Sequence, residues 1–441
     1  QCGDMQEPME LLELPGISLD YFLRGLAGEA YQDNAVFQEL YSWYLQSPEY
    51  RILVKKLTEA SFSERPSDKI GKTVAKILYG EISPYSATRL ERFAACAFAH
   101  FLQYGLKITE RAEYEFRAMD MGNIMHMALE KFAVEVRKEG LDWAELTEEE
   151  RNHIIDSCLD QVSADYGNTI LKSSARNEYM IERTRRILRR TVWALQEQLK
   201  HGAFRPEGFE VRFQGGRIDR VDIMEEPENN RVYVKVIDYK TGNTSFDLLA
   251  LYHGLQLQLM VYLDGALQVE KRKYPDREIV PAGVFYYNVK DPMIQEKIHA
   301  DMESINEQML KKMKMNGLVQ ADDDMSTKID STMASIPVSL NRDGSFSKRS
   351  SVASRKQFDA LGAYVRRKIC DIRESILDGN AAVEPYELGK KNACTYCPYL
   401  TVCGFDRKIP GYEFHRLSSI EEDALWKKIM KGEEENGSEM D

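Results

Sequence analysis

Residues 216–240, GRIDRVDIMEEPENNRVYVKVIDYK, restrict the possible folds more than any other stretch of the chain. Apolar residues alternate on either side of the polar segment EEPENN, the pattern of two strands joined by a turn. Val232, Val234, Val236, Asp238 and Lys240 then share one face of the second strand. That face is apolar until it ends in a carboxylate and an ammonium. Packing alone does not select such an ending, because a buried charge is costly unless it is paired or holds a metal. On the first strand Asp219 shares its face with Val221 and Ile223, whereas Asp222 projects to the other side. Asp219 is therefore expected beside Asp238 and Lys240, and Asp222 at the surface or paired with Arg220.

Two carboxylates and a lysine at adjacent strand ends point to metal-dependent cleavage of a phosphodiester. That reaction needs a water in line with the phosphorus and stabilisation of the charge growing on oxygen. A hard divalent cation on oxygen ligands provides both. Asp219, Asp238 and the backbone carbonyl of Tyr239 are the candidate ligands, with Lys240 orienting the water and stabilising the transition state. An amphipathic helix over residues 120–139 adds His126, with Glu130 one turn on, and His126 is placed to reach the metal. Asp-x-Lys alone occurs by chance in many proteins. Its combination with Gly216-x-x-Asp219 before it and Gln258-x-x-x-Tyr262 after it is far more specific.

Around this hairpin the periodicity is mainly helical. Helices are expected over residues 36–45, 50–60, 248–267 and 354–377, with two more within 147–202. Another, capped by Ser86 and running through residues 83–105, carries Leu90, Phe93, Phe98 and Phe101 on its apolar side. Strands are expected at 209–213, 217–224, 231–239 and 282–289, which makes an α/β core with a mixed sheet. Residues 290–350 are polar and read as a helix followed by an irregular insertion. Gly71-Lys72-Thr73 lacks the upstream glycine of a phosphate-binding loop, since Pro66 stands there, so a plain helical segment is expected. Arg183, Arg185, Arg186, Arg189 and Arg190 fit either a phosphate track or a solvated face paired with Glu178 and Glu182.

The net charge of −12 argues against a general nucleic-acid coat protein but leaves room for a local basic track. No apolar run reaches the roughly 18 residues of a membrane helix. The chain starts at Gln1 without a secretory signal and reads as a piece of something longer. Its seven cysteines are odd in number, and Cys394, Cys397 and Cys403 cluster. That usage fits a reducing cytosol and a metal or cluster site better than disulfides. Such a site normally takes four ligands. His415 is the local candidate for the fourth. Cys96 is the distant one, and it would clamp the two ends of the domain together.

Cys96, Gly122-x-x-x-His126, Gly216-Arg-Ile-Asp219-Arg, Asp238-Tyr-Lys240-Thr-Gly242, Gln258-x-x-x-Tyr262 and the terminal cysteine triplet occur in a recognisable order. Over residues 80–416 the chain resembles the RecB-type PD-(D/E)XK nucleases that carry an iron–sulfur staple. The flanking text, LERFAACAFAHFLQYGL and GLQLQLMVYLDGAL, is most similar to the nuclease domains of AddB-type subunits of bacterial helicase–nucleases. The resemblance implies a restriction-endonuclease-like core, a mixed central sheet flanked by helices. It implies a 4Fe–4S cluster on Cys96, Cys394, Cys397 and Cys403. It implies Mg²⁺ at His126, Asp219, Asp238 and the Tyr239 carbonyl, with Lys240 catalytic and Gln258 and Tyr262 supporting the site and the DNA backbone. It further implies exonuclease action on single-stranded DNA ends in double-strand-break repair, an AddA-type helicase partner and the bacterial cytoplasm. Ala97 departs from the family, in which proline usually follows the first cluster cysteine.

The expected layout is a helical segment over residues 1–80, the tail of a helicase-like region. A nuclease domain over 81–416 follows, then a disordered acidic tail over 417–441. Two alternatives stand beside the helicase-partnered nuclease. One is a stand-alone nuclease with the same cysteine layout. The other is a non-catalytic DNA-end-binding module with a structural cluster.

Overall fold

A computed structural model describes residues 15–26, 35–61, 69–80, 86–110, 118–166, 174–294, 302–322, 324–409 and 411–437. The chain divides into two compact units, Gln1–Ser67 and Asp68–Asp441. In the first, helices α1 (Pro15–Leu26), α2 (Ala35–Gln46) and α3 (Arg51–Ser61) close over the fully buried Phe22, Tyr44 and Val54. Phe22 stacks on Phe37 and Tyr41, and the Ser18 and Tyr44 hydroxyls lie 2.7 Å apart.

The boundary falls before α4 (Lys72–Tyr79), which the sequence groups with the N-terminal helices. Ala75 and Tyr79 of α4 are instead buried in the core of the second unit. Lys72 pairs with Asp378 at 2.9 Å, so Gly71-Lys72-Thr73 is the start of a packed helix. Pro66 lies outside the described residues.

The second unit is built on a six-stranded sheet. Its order is β1 (Arg205–Phe213), β2 (Gly216–Glu226), β3 (Arg231–Lys240), β4 (Glu278–Asn288), β5 (Asn316–Gln320) and β6 (Val352–Ala353). The first three strands form the antiparallel meander that the sequence predicts. β3 and β4 then run parallel, β4 and β5 antiparallel, β5 and β6 parallel, so the sheet is mixed.

The helices of this unit continue as α5 (Ala87–Ala95), α6 (Ala118–Lys138), α7 (Glu148–Asp165), α8 (Ala175–Lys200), α9 (Gln258–Lys273), α10 (Met302–Lys312), α11 (Arg355–Leu377) and α12 (Glu422–Gly437). A parallel pair needs a crossover, and α9 lies in the one between β3 and β4. Helices α6, α7 and α8 cover the sheet face that carries Tyr233, Ile237 and Tyr239. Helices α5, α9, α11 and α12 cover the face that carries Val232, Val234 and Val236. Burial on both faces is why β3 and β4 are so apolar. No helix among the described residues is long and apolar enough to cross a membrane.

Three expectations change, and one open alternative is decided. The helix expected over 248–267 is two helices, Leu248–Tyr252 and α9. Gly254 between them has φ 80°, in the left-handed region, and a Cβ there would stand 3.3 Å from that of Ala94. Residues 290–350 hold the expected helix, α10, but the supposed irregular insertion after it supplies β5, which adds to the sheet beside β4 because its short apolar core, Leu318 and Val319, is buried. The acidic tail is ordered as α12 through residue 437, because Leu425, Trp426 and Ile429 recur at helical spacing and pack into the core. The arginine-rich face of α8 is a paired one. Arg185 meets Asp160 at 2.7 Å, Arg189 meets Asp156, and Arg186 and Arg190 share Asp291.

Candidate metal centre

The hairpin opens where the candidate residues lie. β2 and β3 pair in register from Arg220 opposite Ile237 to Glu226 opposite Arg231. Beyond Arg220, Asp219 Oδ2 accepts the backbone N–H of Tyr239 at 2.7 Å, a side chain standing in for a strand carbonyl. Strict alternation slips at the same point, since Ile218, Val221 and Ile223 all enter the α9-side core. The same Oδ2 lies 3.2 Å from His126 Nδ1 on α6. Gly122, one turn before His126, permits that approach: a Cβ there would stand 3.2 Å from Thr241 Oγ1, just past the end of β3. Across the fork, Glu210 of β1 has φ 49°, which is rare for a residue with a side chain. The ligand atoms of His126, Glu210 and Asp219 lie within 4.8 Å of one another.

Asp238 is 1% exposed, and its Oδ2 lies 2.6 Å from Lys240 Nζ. Lys240 Nζ also donates to Gln258 Oε1 at 2.7 Å, and Gln258 Nε2 donates to the Tyr262 hydroxyl at 2.8 Å. The lysine is thus held between a carboxylate and an amide that is itself anchored. Negative charge exceeds what these cations balance. Burial and the neighbouring Asp219 push Asp238 up to about 6, against the pull of Lys240. Burial and Asp219 push Glu210 up to about 7, although Arg217 pairs with it. Burial pulls His126 down, but its hydrogen bond to Asp219 and the surrounding carboxylates outweigh that and leave it raised. Carboxylates that retain protons near neutrality in this way are ones a divalent cation would stabilise in the charged form.

Of the sequence candidates, His126, Asp219, Asp238, Lys240, Gln258 and Tyr262 come together, and the Tyr239 backbone runs between them. Glu130 does not join the tight group, and Asp238 faces Lys240. Glu210 escapes sequence reasoning, because within FEVRF it reads as the solvated member of an alternating strand. Asp222 is not at the surface. It is fully buried and paired as expected with Arg220, at 2.6 and 2.9 Å, and also with Lys235 at 2.9 Å.

The helix expected over 83–105 breaks at Cys96, whose extended backbone separates α5 from the short helix Ala97–His100. Cys96 thereby faces the C-terminal segment. Cys96, Cys394, Cys397 and Cys403 line one small pocket walled by Phe98, Ala99, Tyr399 and Phe405, and none is in a disulfide. Burial pushes the Cys96 thiol up and the Cys394 thiol up to about 11. Two hydrogen bonds fasten the segments: Phe98 N–H to the Ala382 carbonyl at 3.0 Å and the Tyr399 hydroxyl to the Ile108 carbonyl at 2.8 Å. His415 lies elsewhere, exposed on a two-residue strand paired with Tyr386–Leu388.

The chain is similar to two proteins named as one subunit of an ATP-dependent helicase/deoxyribonuclease. It is 39% identical over 94% of its length to one from Lachnoclostridium phytofermentans and 33% identical over 97% to one from Alkaliphilus metalliredigens. It spans 38% and 39% of those relatives' lengths. Residues 84–404 match the family described as the PD-(D/E)XK nuclease superfamily, a range that takes in the forked hairpin, the histidine helix and the cysteine pocket. That match covers more than half of the chain, and with the mixed sheet flanked by helices on both faces it places the chain in the PD-(D/E)XK nuclease superfamily.

Proposed function

We propose that this chain is the nuclease part of a bacterial AddAB-type helicase–nuclease, an exonuclease that cleaves single-stranded DNA at double-strand breaks. The observation that carries the reading is the fork: His126, Glu210 and Asp219 within 4.8 Å, beside a Lys240 Nζ held 2.6 Å from Asp238. A divalent cation bound there, Mg²⁺ by the oxygen-rich donor set, would supply Lewis-acid charge and a more acidic water. His126, Glu210 and Asp219 would hold it, with Asp238 and the Tyr239 carbonyl completing the set. Lys240 offers its positive charge to the phosphate oxygens and orients the attacking water. Gln258, tied to Tyr262, keeps the lysine in place. The names of the two relatives support a helicase partner and DNA as substrate.

Purified protein should degrade end-labelled single strands when Mg²⁺ is added, and Asp238→Ala should not. Cleavage by Asp238→Ala at the parental rate would make the site assignment wrong. A parent that binds DNA ends without cutting them would instead be the end-binding module. Co-purification with a helicase separates the partnered enzyme from a stand-alone one.

The four cysteines are read as the ligands of a 4Fe–4S cluster. Four thiols outside any disulfide share an apolar pocket, which suits that group. Among the described residues no three of their sulfurs fall within 4.8 Å of one another. A single tetrahedral zinc, with Zn–S of about 2.3 Å, needs sulfurs about 3.8 Å apart. Anaerobically purified protein should be brown and carry about four irons per chain. Stoichiometric zinc without iron would overturn the assignment.

A further inference from the structure

Glu91 belongs to none of the groups above, yet it is where α5 meets the site. Helix α9 begins at Gln258, and the preceding Leu257 provides no capping side chain. The first N–H groups of a helix lack partners within it. Glu91 supplies one from 166 residues away. A single carboxylate oxygen, Oε1, accepts the N–H of Leu257 at 2.6 Å and that of Gln258 at 2.9 Å. A carboxylate at this end of a helix is also favoured by the helix dipole.

The residue so held is the one that holds the lysine. Hydrogen bonds run from Glu91 to the Gln258 backbone, from the Gln258 side chain to Lys240 at 2.7 Å, and from Lys240 to Asp238 at 2.6 Å. No preceding helical turn fixes Gln258, because the helix before it ends at Tyr252 and Gly254, in the left-handed region, separates the two. Burial pushes the Glu91 carboxyl up to about 7, while the N–H groups of Gln258 and Leu257 pull the other way. The fold therefore keeps an acid here against its desolvation, where an apolar residue would meet no such cost.

We propose that Glu91 is a positioning residue, which caps α9 across the core and thereby sets the place of Gln258 and the aim of Lys240. The inference rests on the catalytic reading of Lys240 given above. Glu91→Ala removes the cap. A displacement of about 1 Å in a positioned group costs on the order of 10²-fold in rate, so kcat should fall about that much, with KM for DNA unchanged. Glu91→Gln keeps one oxygen able to accept both N–H groups, and should stay within about threefold of the parent.

A second readout needs no DNA. Lys240 is partly exposed, and its rate of acylation by an amine reagent, read by mass spectrometry, should rise several-fold in Glu91→Ala and not in Glu91→Gln. Unchanged Lys240 labelling in Glu91→Ala, or a kcat within threefold of the parent, would overturn the proposal. An inactive parent would sink the nuclease reading alone, and the labelling would still decide the role of Glu91. If Glu91→Ala does not fold, Glu91→Asp, one methylene too short, takes its place: raised Lys240 labelling in a folded protein supports the proposal, and parental labelling overturns it.

Discussion

Asp219 and Asp222 stand three residues apart on the same strand, and each has a basic partner, yet their surroundings differ in one respect. Asp222 is fully buried between Arg220 and Lys235, at 2.6 and 2.9 Å. Arg220 lies over the Trp143 ring at 5.0 Å and Lys235 over Phe204 at 5.1 Å. Burial raises the Asp222 pKa, but the two cations outweigh it and hold it below the ordinary value. At the fork each of three carboxylates has one basic partner, Lys240, Arg217 or His126, where Asp222 has two, and Asp238 and Glu210 are pushed up. Burial of charge therefore does not distinguish a working site from a structural one. The balance does: a cluster neutralised within the chain has no use for a ligand, whereas one with excess negative charge is completed by a cation from outside.

The sharpest way to break that comparison is to remove one carboxylate from each side. Asp238→Ala should lower Mg²⁺-dependent cleavage by roughly 10³-fold, and urea unfolding of the metal-free protein should not show it to be less stable. Asp222→Ala should do the reverse in kind, leaving two buried cations without a counter-ion at a cost of about 3–5 kcal/mol. An Asp222→Ala protein as stable as its parent would end the distinction. A smaller effect is expected at Glu210. Glu210→Gln should weaken Mn²⁺ binding about tenfold or more in calorimetry, and unchanged affinity would remove Glu210 from the ligand set.

Titration separates the two clusters by sign. Glu91 and Glu210 are raised from 4.5 to about 7, and Asp238 from 3.8 to about 6, so the folded metal-free chain holds protons that the unfolded chain has released. Their contribution to stability is present below pH 4 and is lost as the pH rises through 6 to 7. Asp222, with its pKa lowered from 3.8, contributes stability above that pH and loses it as the pH falls through its folded value. Denaturation of metal-free protein between pH 5 and 8 should therefore show a fall that Glu210→Gln reduces. Saturating Mg²⁺ should offset the fall, because the ion binds the deprotonated carboxylates. A fall of the same size in Glu210→Gln would show that the fork is not its source. The smallest effect belongs to a solvated pair: Arg366, 2.9 Å from Asp264, should cost less than about 1 kcal/mol as Arg366→Ala in the same unfolding assay.

Much of this is legible in the sequence. Period-2 alternation locates the meander, and helical spacing locates α6, α8 and α11. The motifs name His126, Asp219, Asp238, Lys240, Gln258 and Tyr262 without knowledge of any contact. What escapes them does so for separate physical reasons. Glu210 joins the site through a left-handed backbone turn inside a strand, which no side-chain pattern signals. Glu91 acts on backbone N–H groups far along the chain, and a backbone partner leaves no mark on composition. α12 is hidden because the acidic residues around Trp426 dominate the local composition.

The sequence by itself determined which strand faces are apolar, which residue types end them, and that Cys394, Cys397 and Cys403 cluster, while Cys96 joins them only through the family resemblance. Periodicity reports burial, and burial is a local property of each element. The sequence could pair Asp222 with Arg220, but tertiary structure decided how many charges meet at each carboxylate, adding Lys235 to Asp222 and Glu210 to Asp219. That put Asp222 between two cations and Asp219 among carboxylates. The energy of a buried charge depends on groups within a few ångströms, whatever their distance along the chain.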